Sequence, residues 1–204
     1  KRSFFTTGKM KTKIIGITGG IGSGKSTIAH IFETLNIPVY NSDERAKQIY
    51  FISDVKEKVI ELLGKAVYNA DGTLNKKYVA NTVFSDTNKL SALNNIIHPA
   101  VKTDFINWCT EQNSSIVIKE SALLFETGLY KNCTKNILVT APEELRIQRV
   151  LKRDSADRAE IIKRINNQWK DEKKLSLADF VIYNDETKPV IPQVLEILKK
   201  IKEE

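Results

Sequence analysis

A glycine-rich segment at residues 19–26, with the sequence GGIGSGKS, constrains the fold of this chain more than any other feature. Its glycines at the first and sixth positions, followed by lysine and serine, match the pattern of a phosphate-binding loop, or P-loop. Residues 13–18, just before it, form an isoleucine-rich run that is typical of a buried strand. The residues after it place an apolar stripe at helical spacing: Ile28, Ile31, Phe32 and Leu35. A P-loop requires this strand–loop–helix context, so we predict a site for the phosphates of a nucleotide.

The P-loop pattern assigns a different task to each part of the segment. Its glycines let backbone N–H groups wrap the phosphates, and the following helix directs its positive end at the same anion. Lys25 is expected to reach the β- and γ-phosphates, and Ser26 to bind Mg²⁺ through its hydroxyl. The predicted nucleotide-binding residues of this segment are Gly20, Ile21, Gly22, Ser23, Gly24, Lys25, Ser26 and Thr27.

Strand and helix patterns alternate along the rest of the chain. Four further strands are predicted, at residues 37–40, 115–120, 136–140 and 179–183. The first strand, helix and second strand form a βαβ unit, which implies parallel strands and a right-handed crossover. Residues 42–108 show mostly helical periodicity, and Pro99 within them is expected to kink its helix or to start a new one. The alternation predicts a three-layer α/β/α fold with a five-stranded parallel sheet.

Composition and charge exclude several classes of protein. No apolar run among the 204 residues is long enough for a transmembrane helix, so we expect no membrane association. Cys109 and Cys133 are too few for a disulfide framework or a four-ligand zinc site, and they suit packing roles in a reducing compartment. The net charge is +7, but three of these charges come from Lys1, Arg2 and Lys9. The remaining surplus is weak support for nucleic-acid binding, so we expect no such partner.

Asp43 is the candidate for activating the group that accepts the phosphate. It follows the second predicted strand, and open α/β sheets bind ligands at the carboxyl ends of their strands. A carboxylate there can deprotonate or orient an attacking hydroxyl. The alternative interpretation is that Asp43 caps the next helix. A GTPase is disfavoured because the chain contains no Asn-Lys-x-Asp segment.

Taken with these features, several segments resemble the dephospho-CoA kinase family, whose members catalyse the last step of coenzyme A biosynthesis. The resemblance extends from about residue 13 to residue 184 and includes the family's extended P-loop. Residues 93–99 look like its Leu-Asn-x-Ile-x-His-Pro segment, and residues 123–126 match the end of its Pro-Leu-Leu-Phe-Glu run. Asn41 departs from the family, which has an aspartate there as the first of an Asp-Ala-Asp motif.

The resemblance implies a P-loop nucleoside-kinase-like fold. It further implies that the chain uses ATP and Mg²⁺ to phosphorylate the ribose 3′-hydroxyl of dephospho-CoA, which gives CoA. In this reading Asp43 acts on that hydroxyl. Glu120, where the family usually has aspartate, holds Mg²⁺ or its water together with Ser26.

The resemblance also implies residues that contact the two substrates. The acceptor-binding candidates are His98, Lys77, Leu123, Phe125 and Glu126, and Asn184 is expected to border the adenine. Lys77 stands in a region where the family often has arginine, so it would contact acceptor phosphates as a point charge. The alternative interpretations are a buried helix-end position for His98 and plain core positions for Leu123 and Phe125.

Residues 148–154 look like the lid of this kinase group. Arg149 and Arg153 are four residues apart and therefore share a helix face. We predict that one or both close over the phosphates and neutralise charge that develops on the transferred phosphoryl group. The alternative is a solvated basic face. Arg164 and Gln168 match a further segment of the family, Arg-x-x-x-Gln.

The predicted organisation is a single kinase domain over residues 10–204. Its parts are a core at residues 13–44, 113–142 and 174–204, a helical acceptor-binding insertion at 45–112 and a lid at 143–173. Residues 1–9 are expected to be a leader outside the fold, either an expression remnant or a loose arm. The small-molecule partners would be ATP and dephospho-CoA, and we expect a monomer or a weak homo-oligomer in the cytoplasm.

Two alternatives stay open. Another small-molecule kinase, acting on a nucleotide, shikimate or a sugar acid, would share the fold but lacks the combined His-Pro and Leu-Leu-Phe-Glu segments. A nucleotide-dependent nucleic-acid-binding protein would fit the basic composition and would show steeply salt-dependent binding to DNA or RNA. The chain shows no RNA-binding signature, which disfavours this second alternative.

Overall fold

A computed structural model of the chain describes residues 5–7, 10–154 and 157–203. Its strands are β1 (Phe5–Thr7), β2 (Met10–Thr18), β3 (Val39–Asn41), β4 (Ile116–Glu120), β5 (Lys135–Thr140) and β6 (Phe180–Tyr183). Its helices are α1 (Lys25–Thr34), α2 (Ser42–Ile49), α3 (Ser53–Leu63), α4 (Lys76–Phe84), α5 (Thr87–Glu111), α6 (Glu143–Arg153), α7 (Arg158–Asn166), α8 (Asp171–Leu175) and α9 (Val190–Glu203). Within these described ranges, no helix has both the length and the apolar character needed to span a bilayer.

Five strands form a parallel sheet in the order β3–β4–β2–β5–β6, which confirms the predicted α/β class and parallel sheet. The central strand β2 lies between β4 and β5, and its Ile14, Ile15 and Ile17 are buried. Such a continuous apolar run is typical of a parallel strand that is covered on both faces. The short strand β1, inside the predicted leader, pairs antiparallel with the start of β2, and the sequence pattern does not indicate it.

The chain divides into two compact units, and the sheet belongs to the unit that combines the chain up to Asn41 with the chain from Gln112 onward. In this unit α1 and α9 bury their apolar faces in one cluster with the strands, and the helical members include Ile28, Phe32, Val194 and Leu198. The spacing of these residues gives each helix an apolar stripe toward the sheet. Packing of α1 fixes the start of this helix at the end of the P-loop.

The second unit, Ser42–Glu111, is a helical cluster of α2, α3, α4 and α5. A bidentate ion pair links α2 to α5: Arg45 Nε and Nη2 lie 2.7 Å and 2.6 Å from the two carboxylate oxygens of Asp104. Pro99 lies inside α5, so no new helix starts there. Proline removes one helical hydrogen bond, but α5 continues past Pro99, and residues on either side of it, Leu93 and Phe105, are buried.

Both cysteines are free and buried, as their predicted packing roles require. Burial raises the pKa of the Cys133 thiol to about 12, an effect that nearby Lys119 partly opposes. A raised thiol pKa means that the reactive thiolate is scarce: about one molecule in a thousand at about pH 9.

We therefore expect Cys133 of the native protein to react with a thiol reagent far more slowly than Cys133 of the unfolded protein. The measurement is labelling between about pH 7 and pH 9, with the modified peptide identified by mass spectrometry. Labelling of native Cys133 at the rate of the unfolded chain would contradict this expectation.

Candidate active site

The P-loop lies between β2 and α1, where the sequence predicts it. Gly22 and Gly24 adopt positive φ angles of 77° and 88°, a region that L side chains rarely adopt. A Cβ at Gly24 would also overlap the side-chain amide of Asn184. The first turn of α1 carries Lys25, Ser26 and Thr27, so its N-terminal N–H groups and a cation face the same place. This arrangement suits a phosphate.

A buried carboxylate links the P-loop to the ends of two strands. Glu120 is the last residue of β4, and only 3% of its side chain is exposed. Its Oε1 accepts a hydrogen bond from Ser26 Oγ at 2.9 Å and lies 3.1 Å from Lys25 Nζ. Its Oε2 accepts from Asn41 Nδ2 at 3.1 Å. Parallel pairing of β3 with β4 sets Asn41 beside Glu120 and so builds this cluster.

Ser26 and Glu120, the two predicted metal ligands, therefore share one short contact. Among the described residues no group of three or more His, Cys, Asp or Glu side chains could hold a metal ion. Mg²⁺ does not need such a group, because it commonly takes one or two protein oxygens and completes its shell with phosphates and water. A hydroxyl and a carboxylate beside a P-loop are a donor set that fits this metal.

The two predicted lid arginines both form ion pairs near the surface. Arg149 Nη2 lies 3.0 Å from Glu186 Oε1, and Arg153 Nε lies 2.7 Å from Asp154 Oδ1. Glu186 and Arg153 are mostly exposed, and ion pairs near the surface contribute little to stability, so these arginines can exchange partners at small cost. Their predicted closure over phosphates stays a prediction.

Arg146 is the basic residue of α6 that lies directly against the P-loop, and the sequence does not single it out. Its residue surface is only 7% exposed. A Cβ at Gly20 would overlap its guanidinium, and a Cβ at Gly22 would overlap its carbonyl oxygen. A possible sequence signal is its position four residues before the buried Val150, on the inward face of the helix. Charged side chains are rarely buried unless they are paired, so a partner is expected for Arg146.

Asn184 contacts the P-loop backbone. Its Nδ2 donates to the carbonyl oxygen of Ser23 at 2.9 Å, and its own N–H donates to the carbonyl oxygen of Thr140 at 2.8 Å. The predicted contact with adenine remains untested, but the side-chain amide already has a role in holding the loop.

The predicted acceptor-side residues Leu123, Phe125 and Glu126 have three different environments. Leu123 is 42% exposed, whereas Phe125 is 1% exposed and packs edge-on against Tyr130 with ring centroids 5.4 Å apart. Phe125 is thus a core residue, which was the alternative interpretation. Glu126 Oε1 accepts a hydrogen bond from the Trp169 N–H at 3.0 Å and lies 3.1 Å from Lys174 Nζ. A substrate contact by Glu126 would have to compete with both partners.

The pair of Glu126 and Lys174 gives a clear expectation for stability. The Lys174 side chain is 0% exposed and that of Glu126 12%. Removing one partner of a buried pair leaves an uncompensated charge, so we expect Lys174→Met to lower the free energy of unfolding by about 3–5 kcal/mol. The measurement is chemical denaturation.

Lys199→Met is the matched control for this substitution. Lys199 pairs with Glu203 at 3.9 Å, but both side chains are mostly exposed. The expected loss is below about 1 kcal/mol. Equal losses of unfolding free energy in the two variants would contradict the expectation that the buried pair contributes more to stability than the exposed pair.

Three further candidates belong to the helical unit and are described within it. Asp43 is exposed in the first turn of α2, one residue after the helix begins. Lys77 is exposed in the first turn of α4. His98 is exposed near the middle of α5, so the interpretation as a buried helix-end histidine is wrong.

The central strand of the parallel sheet leads through a P-loop into a helix, and a lysine, a serine and a buried carboxylate contact one another at the end of this loop. These features define a P-loop nucleotide-binding protein of the kinase type. The sequence model of the dephospho-CoA kinase family matches residues 13–189. A dephospho-CoA kinase of Bacteroides fragilis strain YCH46 is 42% identical over 186 residues, which cover 90% of either chain. The chain belongs to the dephospho-CoA kinase family.

Two solved structures share the fold of this chain. A crystal structure from Thermus thermophilus superposes with a TM-score of 0.82 at 33% identity and covers 93% of this chain and 96% of that one. The dephospho-CoA kinase of Campylobacter jejuni superposes with a TM-score of 0.67 at 24% identity and covers 92% and 96%, a likeness of fold. Membership of this family confirms the predicted enzyme class.

Proposed function

We propose that the chain transfers the γ-phosphoryl group of ATP to the ribose 3′-hydroxyl of dephospho-CoA, giving ADP and CoA, the final step of coenzyme A biosynthesis. The observation that carries this proposal is the cluster of Lys25, Ser26 and Glu120 at the end of a P-loop in a chain of the dephospho-CoA kinase family. The cluster supports phosphoryl transfer, and the family supports the acceptor.

In the proposed reaction the 3′-oxygen forms a bond to the γ-phosphorus while the bond to the β–γ bridging oxygen breaks. The bonding electrons leave with ADP, and the proton of the hydroxyl passes to Asp43. Lys25 exchanges its contact with Glu120 for the β- and γ-phosphates, and 19% of its side chain is exposed for that exchange. Catalysis of this kind depends on positioning and on stabilising charge, with little covalent chemistry by the protein.

Ser26 Oγ and Glu120 Oε1 are the atoms that would hold Mg²⁺. When bound, Mg²⁺ neutralises charge on the β- and γ-phosphate oxygens. Glu120 also keeps Asn41 Nδ2 as a donor to its second oxygen, which orients the carboxylate.

Five further candidates supply substrate contacts in this proposal. Arg149 and Arg153 leave their surface carboxylates and bind the phosphates, and these two side chains close the site to water. Lys77 and His98 bind polar groups of dephospho-CoA, and the exposed Leu123 contacts its pantetheine arm. Two free cysteines support a reducing compartment, the cytoplasm. The working form in this proposal is a monomer or a weak homo-oligomer.

The test is release of ADP by the purified protein with ATP and Mg²⁺, in the presence and absence of dephospho-CoA. We expect strong stimulation by dephospho-CoA and weak or no stimulation by shikimate or nucleoside monophosphates. Lys199→Met is the positive control, since it changes one exposed lysine far from the P-loop sequence. ATP binding without stimulation by dephospho-CoA would leave the P-loop assignment in place and refute the acceptor.

A further inference from the structure

A side chain from the segment that follows α7 accepts a hydrogen bond from the backbone near the start of the P-loop. The N–H of Ile21 donates to Gln168 Oε1 at 2.9 Å. The side chain of Ile21 packs against an apolar cluster of α6 and α7 that includes Ile147, Val150 and Ile161. Both the backbone and the side chain of this P-loop residue are therefore fixed by the region 143–168.

Gln168 begins a short segment, residues 168–174, which we call the strap. The strap has three anchors on the core. The N–H of Trp169 and the ammonium of Lys174 both contact Glu126 Oε1, at 3.0 Å and 3.1 Å. Asp171 Oδ2 accepts from Thr140 Oγ1 at 2.5 Å, at the end of β5. The side chain of Gln168 thus projects from a segment that is anchored to the end of β5 and to Glu126 in the loop after β4.

Arg146 adds a second contact between the lid region and the loop. Its guanidinium covers Gly20, the residue before Ile21. It lies 3.9 Å from Asp171 of the strap and 3.8 Å from Glu143. These two ion pairs connect the guanidinium to the strap and to the first turn of α6, so both elements contact the loop through Arg146.

We propose that Gln168 is a positioning residue for ATP: it holds the Ile21 amide, so the P-loop has its phosphate-binding conformation before the nucleotide arrives. A loop without this contact must be ordered by the nucleotide itself, and that ordering cost lowers affinity. The inference rests on the proposed use of ATP, but it does not depend on which hydroxyl accepts the phosphate.

The test uses Gln168→Met, which keeps the length of the side chain and removes its acceptor oxygen. We expect the Kd for ATP, measured by calorimetry without an acceptor, to rise about 3- to 10-fold, the factor that corresponds to one hydrogen bond. The inhibition constant of adenosine, which has no phosphates, and the kcat at saturating ATP should both change less than about twofold. Asn167→Met, on the exposed neighbour, is the matched control and should match the wild type throughout.

Hydrogen exchange of the Ile21 amide, followed by NMR, gives a direct second readout. Exchange should be faster in Gln168→Met than in the wild type. Gln168→Glu keeps an acceptor oxygen at the same reach, so it should restore protection of the amide.

Two results would overturn the proposal. One is an unchanged Kd for ATP together with unchanged exchange of the Ile21 amide. The other is an equal loss of ATP and adenosine binding with a lowered melting temperature, because Gln168 would then support only the fold. A wild-type protein that binds ATP but does not phosphorylate dephospho-CoA would refute the proposed acceptor and leave this test intact.

Discussion

Replacing Lys25 by methionine is expected to lower kcat by about 10³-fold or more. Lys25 is the P-loop cation, and its Nζ lies 3.1 Å from the buried carboxylate of Glu120. In the proposed reaction it stabilises charge that develops on the transferred phosphoryl group. Methionine keeps most of the length of the side chain and removes the charge, so the loss falls on the chemical step.

The structure also indicates that Lys25→Met can fold. Glu120 keeps two hydrogen-bond donors, Ser26 Oγ and Asn41 Nδ2, after the lysine is removed. The measurement is steady-state kinetics with dephospho-CoA, accompanied by circular dichroism. Lys199→Met provides the control for a lysine-to-methionine change at an exposed position. A folded Lys25→Met variant with near-normal kcat would contradict the role of the P-loop lysine.

Replacing Asp43 by asparagine is expected to lower kcat by about 10²- to 10⁴-fold, the range for loss of a general base. The amide has nearly the same shape as the carboxylate but cannot accept the proton of the 3′-hydroxyl. The helix that carries Asp43 begins directly after β3, and Asp43 is exposed within its first turn. The Kd for ATP should change less than about twofold, because no P-loop group is altered.

Glu44→Gln is the matched control for Asp43→Asn. Glu44 is the next residue in the same turn, is exposed, and pairs with Lys47 at 2.6 Å. Its kcat should stay within about twofold of the wild type. A large loss of ATP binding by Asp43→Asn with normal kcat would refute the assignment of Asp43 as the base.

The parallel sheet was predictable because its inner strands β2, β4 and β5 are largely buried and therefore appear as short apolar runs. The strand β1 was not predictable, because a run of three residues without alternation is too short to show a strand pattern. It is recognised only by its pairing with β2. The course of α5 was predicted only in part. Its sequence allows either a kink or a break at Pro99, and packing on both sides of the proline decides for one helix.

The candidate site was predictable where residues follow strand ends or a motif. Glu120 and Ser26 meet because adjacent parallel strands end at the same edge as the P-loop. The partners of Arg146 and Gln168 were not predictable, because they depend on the packing of α6 and the strap against the loop. Arg149 and Arg153 were favoured over Arg146 for the same reason. Their four-residue spacing can be seen in the sequence, whereas the burial of Arg146 cannot.

The identity of the product tests the central claim most directly. Purified protein is incubated with ATP, Mg²⁺ and dephospho-CoA, and the product is compared with authentic CoA by chromatography, mass and phosphorus NMR. We expect a product that has gained one phosphoryl group, carries it on the ribose 3′-oxygen and co-elutes with CoA, and we expect no such product from Lys25→Met. Unchanged dephospho-CoA, or a phosphoryl group at another position, would contradict the central claim.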